Sequence, residues 1–135
     1  MIYLDSGALV KLVMPAPESA ALGGYLRAHA DVRHVASALV RAEIRRALRR
    51  SGATTRQQHT AEKLLATVIT ISVTDELLDA AGNLDDPGLR SLDAIHLATA
   101  RSLGAGLTGF VTYDHRLLAA ARAAGLPTAA PTGKA

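Results

Sequence analysis

The stretch Ile2-Tyr3-Leu4-Asp5-Ser6-Gly7-Ala8-Leu9-Val10 decides how the rest of the chain is read. Ile2–Leu4 is an apolar triplet suited to a short buried strand, and the apolar spacing over Ala8–Val13 is that of a helix. Ser6 stands between them as a candidate N-cap. Asp5 is then delivered at the carboxyl end of a strand, which is where open α/β sheets bind their ligands. Three further acids, Glu43, Asp93 and Asp114, stand in comparable settings, and the chain reads as one that brings the four together.

The remaining pattern alternates. Pro15 and Pro17 interrupt the first helix, and Glu18–His29 forms the next, with Leu22 and Leu26 on one face. Arg33–Ala36 reads as a short strand. Ser37 caps the clearest helix, Ala38–Ser51, whose apolar stripe is Val40, Ile44, Ala47 and Leu48 and whose stop is Gly52. Thr54–Thr67 follows as a second helix, so the two predict a helical hairpin. Val68–Val73 is a β-branched strand, Thr74 caps a helix over Asp75–Gly82, and Asn83–Gly88 is a polar loop. Ser91 caps a helix over Leu92–Leu103, and Leu107–Thr112 is a strand whose exit is Tyr113-Asp114. His115–Ala124 is a helix stopped by Gly125, and Thr128–Ala130 adds a short edge strand. Strands alternating with helices predict one α/β domain with a largely parallel sheet, over residues 1–130, followed by a flexible tail at 131–135.

Bulk composition narrows the function classes. The 135 residues are the size of one domain, and 49% apolar with 20% charged residues supports a packed core. Four aromatic residues, Tyr3, Tyr25, Phe110 and Tyr113, are too few for binding single strands by base stacking. The absence of cysteine excludes disulfides and zinc–thiolate sites. No signal peptide or membrane-spanning run is evident, so a cytoplasmic protein with no membrane partner is expected. The net charge is +3. Committing four of the 12 acids to cations would leave eight acids against 15 bases, a surface suited to a polyanion. An arginine-rich genome composition accounts for the same figures.

Each acid has an ordinary structural use. Asp5 and Asp114 can be turn or capping residues, Asp93 suits the first turn of its helix, and Asp85 and Asp86 belong to a solvated loop. Glu43 is harder to explain, because a glutamate at the edge of an apolar helix stripe costs desolvation unless paired, here with an Arg. A shared pocket of four carboxylates requires cations, and oxygen-only donors favour Mg²⁺ or Mn²⁺. Two such ions about 3.5–4 Å apart can clamp the attacking and leaving oxygens of a phosphodiester.

Tyr3-Leu4-Asp5-Ser6, Ala42-Glu43, Leu92-Asp93-Ala94-Ile95-His96-Leu97-Ala98-Thr99-Ala100 and Val111-Thr112-Tyr113-Asp114-His115-Arg116-Leu117 resemble, in order and spacing, the four signature regions of PIN-domain ribonucleases, in particular the VapC toxins of bacterial toxin–antitoxin pairs. The resemblance runs from Met1 to about Pro127. It implies a five-stranded parallel sheet between helices, a Mg²⁺- or Mn²⁺-dependent endoribonuclease, a homodimer and inhibition by a VapB-type antitoxin. It implies that Asp5, Glu43, Asp93 and Asp114 are the catalytic, metal-binding acids and that RNA is cut to 5′-phosphate and 3′-hydroxyl ends. Thr112 matches a hydroxyl position that supports such sites, and with Arg116 it is expected on the substrate side. Gly7 departs from the Ser common in similar sequences. His115 and Arg116 stand where another acid often follows Asp114, which implies a weaker hold on a second ion.

Other residues carry duller readings beside functional ones. The Arg41, Arg45, Arg46, Arg49 and Arg50 face can grip RNA phosphates or an acidic antitoxin segment, or can simply be solvated. His96 is expected to pack at a helix edge and His115 to lie in a surface capping turn. A haloacid-dehalogenase-type phosphotransferase would want a second Asp where Gly7 stands. A receiver-like domain would want a lysine near the last strand, and Lys11, Lys63 and Lys134 do not supply it. A catalytically inactive PIN-like scaffold acting through protein contacts is the remaining alternative.

Overall fold

A computed structural model describes residues 1–133. Five short strands form one all-parallel sheet: β1 (Ile2–Leu4), β2 (His34–Ser37), β3 (Ile69–Ile71), β4 (Gly109–Val111) and β5 (Thr128–Ala129), in the order β3-β2-β1-β4-β5. The expected parallel sheet of five strands between helices is what the chain forms. β1 lies at the centre because it is apolar on both faces: Ile2, Tyr3 and Leu4 are all fully buried.

Alternation along β1 sorts the helices into two layers. Ile2 and Leu4 point into a core shared with α1 (Ser6–Val10), α2 (Ser19–Ala28), α3 (Val40–Arg50) and α4 (Thr55–Thr67). Tyr3 points the other way, into a core with α6 (Ser91–Arg101) and α7 (His115–Ala123). On that same side α5 (Asp75–Gly82) packs its Ala81 against Ala94, Ile95 and Ala98 of α6. The α3–α4 hairpin is present. Gly52 takes the positive φ of 66° that its turn demands, and Thr54 caps α4 in a reciprocal box with Gln57. Gly109 meets a different constraint, since a Cβ there would lie 2.7 Å from the Tyr25 hydroxyl.

The chain leaves β1 toward β2 and β3 on one side and returns to β4 and β5 on the other. The sheet therefore reverses its winding between β1 and β4, and such a reversal opens a crevice at the carboxyl ends of the two strands. Asp5 follows β1 directly, with its amide bonded to the Val111 carbonyl at 3.3 Å, and Thr112 follows β4.

Three caps differ from expectation. Asp5, not Ser6, caps α1: its Oδ1 accepts from the Ala8 amide at 2.8 Å, and Ser6 is already helical. Ser37 ends β2, and its hydroxyl accepts from the Leu39 amide ahead of α3. Ser91 is the first residue of α6, with Arg90 in the cap position and no side-chain cap bond. α1 is also shorter than the apolar run through Val13 suggested, because a turn replaces helix after Val10. In the segment expected as a tail, the Pro131 carbonyl accepts from the Tyr113 hydroxyl at 2.7 Å and Thr132 and Gly133 are exposed. Residues 134 and 135 lie outside the described residues. No helix among the described residues is long and apolar enough to cross a membrane.

Candidate active site

Asp5 is the innermost acid, 7% exposed. Its Oδ2 accepts from the Thr112 hydroxyl at 2.5 Å while its Oδ1 holds the cap of α1, so both oxygens are fixed. Thr112 is fully buried, and its oxygen also accepts from the Asp114 amide at 3.1 Å. One hydroxyl thus joins the β1 acid to the β4 acid. This corrects the expectation that Thr112 faces substrate: it supports the acids and is closed to anything outside.

Asp114 is exposed and caps α7, accepting from the Leu117 amide at 2.9 Å. Asp93 and Glu43 are half-buried, on the first turns of α6 and α3. Desolvation pushes the Asp5 carboxyl above the usual carboxylate range against the hydrogen bonds from Thr112 and Ala8, and the Asp93 charge adds to the rise. Desolvation likewise raises Asp93, followed by the charges of Asp114 and Glu43. Asp93 is thus the acid whose charge reaches Asp5 and that itself feels Asp114 and Glu43. Asp5, Asp93 and Asp114 form no ion pair among the described residues. Nor do any three His, Cys, Asp or Glu side chains there converge closely enough to hold one metal ion by themselves.

Glu43 has a partner, and it is not an Arg. Its Oε1 lies 2.7 Å from His96 Nε2, and His96 is 1% exposed. The other ring nitrogen, Nδ1, lies 2.6 Å from the Tyr3 hydroxyl, which also accepts from the Ser37 amide at 3.1 Å. His96 thus sits between β1 and α3 rather than at a helix edge. It was recognisable in principle: three residues beyond Asp93, it shares that residue's face of α6. Tyr3 gave a weaker signal, as the one polar atom in an otherwise aliphatic strand.

From Glu43 a groove of about 780 Å³ runs between α1 and α3, lined in part by Gly7, Lys11, Arg46 and Arg50. Arg45 is set apart from the other arginines of α3, since it pairs with Glu62 of α4 at 2.7 Å. Arg116 donates to the Gly88 carbonyl at 2.7 Å and so ties the loop before α6 to the start of α7. His115 is exposed in the first turn of α7, as expected.

This fold agrees with what known proteins show. The PIN domain family model matches residues 2–123. The chain belongs to the PIN-domain family. Within that family it falls among VapC proteins: ribonuclease VapC46 of Mycobacterium tuberculosis (strain ATCC 25618 / H37Rv) is 47% identical over 133 residues, 97% of this chain and 98% of the relative. Two solved structures share the PIN fold. M. tuberculosis VapC20, described as a sarcin–ricin-loop-cleaving toxin, aligns at a TM-score of 0.73 and 20% identity over 97% of this chain and 100% of its own. VapBC2 of Rickettsia felis, solved with a promoter DNA fragment, aligns at 0.70 and 19% identity over 96% and 98%. In this PIN domain Asp5 directly follows β1, Glu43 and Asp93 lie on α3 and α6, and Asp114 stands at the β4–α7 junction.

Proposed function

We propose that this PIN domain is a divalent-cation-dependent endoribonuclease and the toxin of a type II toxin–antitoxin pair. The observation that carries the reading is the Thr112 hydroxyl joining Asp5 to Asp114 at the sheet reversal, with Asp93 near enough for its charge to act on Asp5 and to feel Asp114 and Glu43, beside a groove lined in part by Arg46 and Arg50. Crowded acids of this kind are stable as anions only if a cation joins them. Carboxylate oxygens suit Mg²⁺ or Mn²⁺, and Mg²⁺ usually keeps several waters while taking only one or two protein carboxylates. Such an ion, when bound, polarises the phosphate and lowers the pKa of an attacking water.

The protein's own part follows from its geometry. Thr112 and the Ala8 amide fix Asp5 as the immobile acid, and Asp93 and Asp114 approach from two other elements. Glu43, held by His96 on the opposite wall, orients the attacking water. Arg46 and Arg50 line the groove that leads to Glu43 and bind the RNA phosphates on either side of the cut. The ribonuclease name of the VapC46 relative supports RNA as the substrate, and the VapBC2 assembly supports a VapB-type antitoxin as the inhibiting partner. A homodimer acting in the cytoplasm completes the proposal.

The test is cleavage of total RNA by antitoxin-free protein in Mg²⁺, Mn²⁺ or EDTA, with the new ends sequenced. Cutting in either metal, none in EDTA, and 5′-phosphate ends are expected. Cutting that survives EDTA would overturn the metal-dependent reading. No cutting in any metal would favour the scaffold alternative.

A further inference from the structure

A buried histidine that bonds to one member of an acid cluster needs an account of its own. His96 is 1% exposed, and its ring joins three elements: β1 through Tyr3, α6 on which it sits, and α3 through Glu43. The hydrogen bonds determine which ring nitrogen is the donor toward Glu43. The Ser37 amide can only donate, so the Tyr3 oxygen accepts there at 3.1 Å. The Tyr3 hydroxyl also lies 2.6 Å from His96 Nδ1. On the other side of the ring Nε2 lies 2.7 Å from Glu43 Oε1, and a carboxylate oxygen only accepts, so Nε2 carries the proton between them. A chain of hydrogen bonds therefore runs from the Ser37 amide through Tyr3 and His96 to Glu43.

We propose that His96 is a positioning residue for Glu43, donating to it from Nε2 and braced at Nδ1 by the Tyr3 hydroxyl, and that this fixes where the glutamate meets the water and cation of the reaction. Its link to catalysis rests on the metal-dependent nuclease reading above. Two of the other acids have their own supports: Thr112 and Ala8 for Asp5, Leu117 for Asp114. Glu43 lies across the crevice on α3, and its only side-chain hydrogen bond among the described residues is to His96. A donor held on Oε1 fixes the carboxylate and leaves its other oxygen for a cation. A histidine serving only to fill space would be exchangeable for a leucine of similar volume. A histidine serving as donor would not be.

Two variants separate those cases. His96→Leu fills the space and removes the donor, whereas His96→Gln places an amide N–H near the former Nε2. Outer partners of metal-site ligands typically change metal affinity or activity by about 10–100-fold. His96→Leu is expected to fold, to lose about that factor in kcat with KM for RNA little changed, and to weaken Mn²⁺ binding measured calorimetrically. His96→Gln is expected to recover most of both losses. Tyr3→Phe keeps the ring stacked on Phe110 and removes only the hydroxyl, so it serves if His96→Leu does not fold. It is expected to lower kcat and to change the His96 nitrogen signals.

Long-range ¹H–¹⁵N spectra of the metal-free wild type should show a proton on His96 Nε2. A ring with no proton on Nε2, or the same spectrum in Tyr3→Phe, would overturn the proposal. So would equal losses in the Gln and Leu variants, or unchanged Mn²⁺ affinity in the Leu variant. Should wild-type protein cut no RNA, the nuclease reading fails by itself, and the spectra and Mn²⁺ affinities still decide whether His96 positions Glu43.

Discussion

Asp5 is at once the cap of α1 and the most deeply buried acid of the crevice. As a cap it gains from its charge, and as a buried group it loses from it. Desolvation wins, and both Asp5 and Asp93 have raised pKa values. Between the ordinary carboxylate value of about 4 and those raised values, the folded protein holds more protons than the unfolded chain. The stability these acids contribute is therefore complete below about pH 4 and is lost as pH rises through the raised values. In EDTA, Asp5→Asn should melt above wild type at neutral pH, with the gap closing as pH falls toward 4. Calorimetric melting over a pH series checks this, and a gap independent of pH would show that Asp5 is not the source. The same substitution should lower RNA cleavage by about a hundredfold or more, since metal-ion charge stabilisation is worth several kcal/mol and each 1.4 kcal/mol is about tenfold. At this scale the places of the four acids at strand exits and helix starts were legible. His96 as partner of Glu43 was not, because a contact between residues 53 apart depends on how α3 and α6 pack across the sheet.

α3 shows the difference between a pattern and its use. The sequence displays five arginines on this helix, and helical spacing places them on its surface, but spacing does not say which are engaged. The pairing of Arg45 with Glu62 depends on how α4 folds back across the Gly52 turn. Arg46 and Arg50 line the groove beside Glu43, where the proposed function puts RNA phosphates. Replacing both with Gln should raise KM for RNA while leaving kcat nearly unchanged. Loss of two phosphate contacts should also flatten the dependence of log affinity on log salt by about 1.4, at about 0.7 per contact for single strands. Arg45→Gln should change neither quantity. Binding measured by fluorescence anisotropy across a salt series checks both variants. An Arg45 variant that matched the double variant would move the RNA path to the other face of α3. The caps follow the same logic: Ser6 and Asp5 are adjacent and both able to cap, and the choice fell to Asp5 because β1 delivers its carboxylate directly over the Ala8 amide.

For the whole molecule, alternation of strands and helices announced an α/β domain with a parallel sheet, and that is the fold. Strand order was not legible, because each crossover can return to either edge of a growing sheet and local pattern does not choose between them. The order β3-β2-β1-β4-β5 is the feature that creates the site, since it puts the exits of β1 and β4 side by side. Everything functional in this account depends on four acids from distant segments acting there as one cation site. Calorimetric titration of Mn²⁺ into metal-free wild-type protein and into Asp5→Asn tests that dependence most directly. Saturable binding by the wild type, lost or much weakened in the variant although it remains folded, is the predicted result. Equal binding by the two proteins, or none by the wild type, would contradict it.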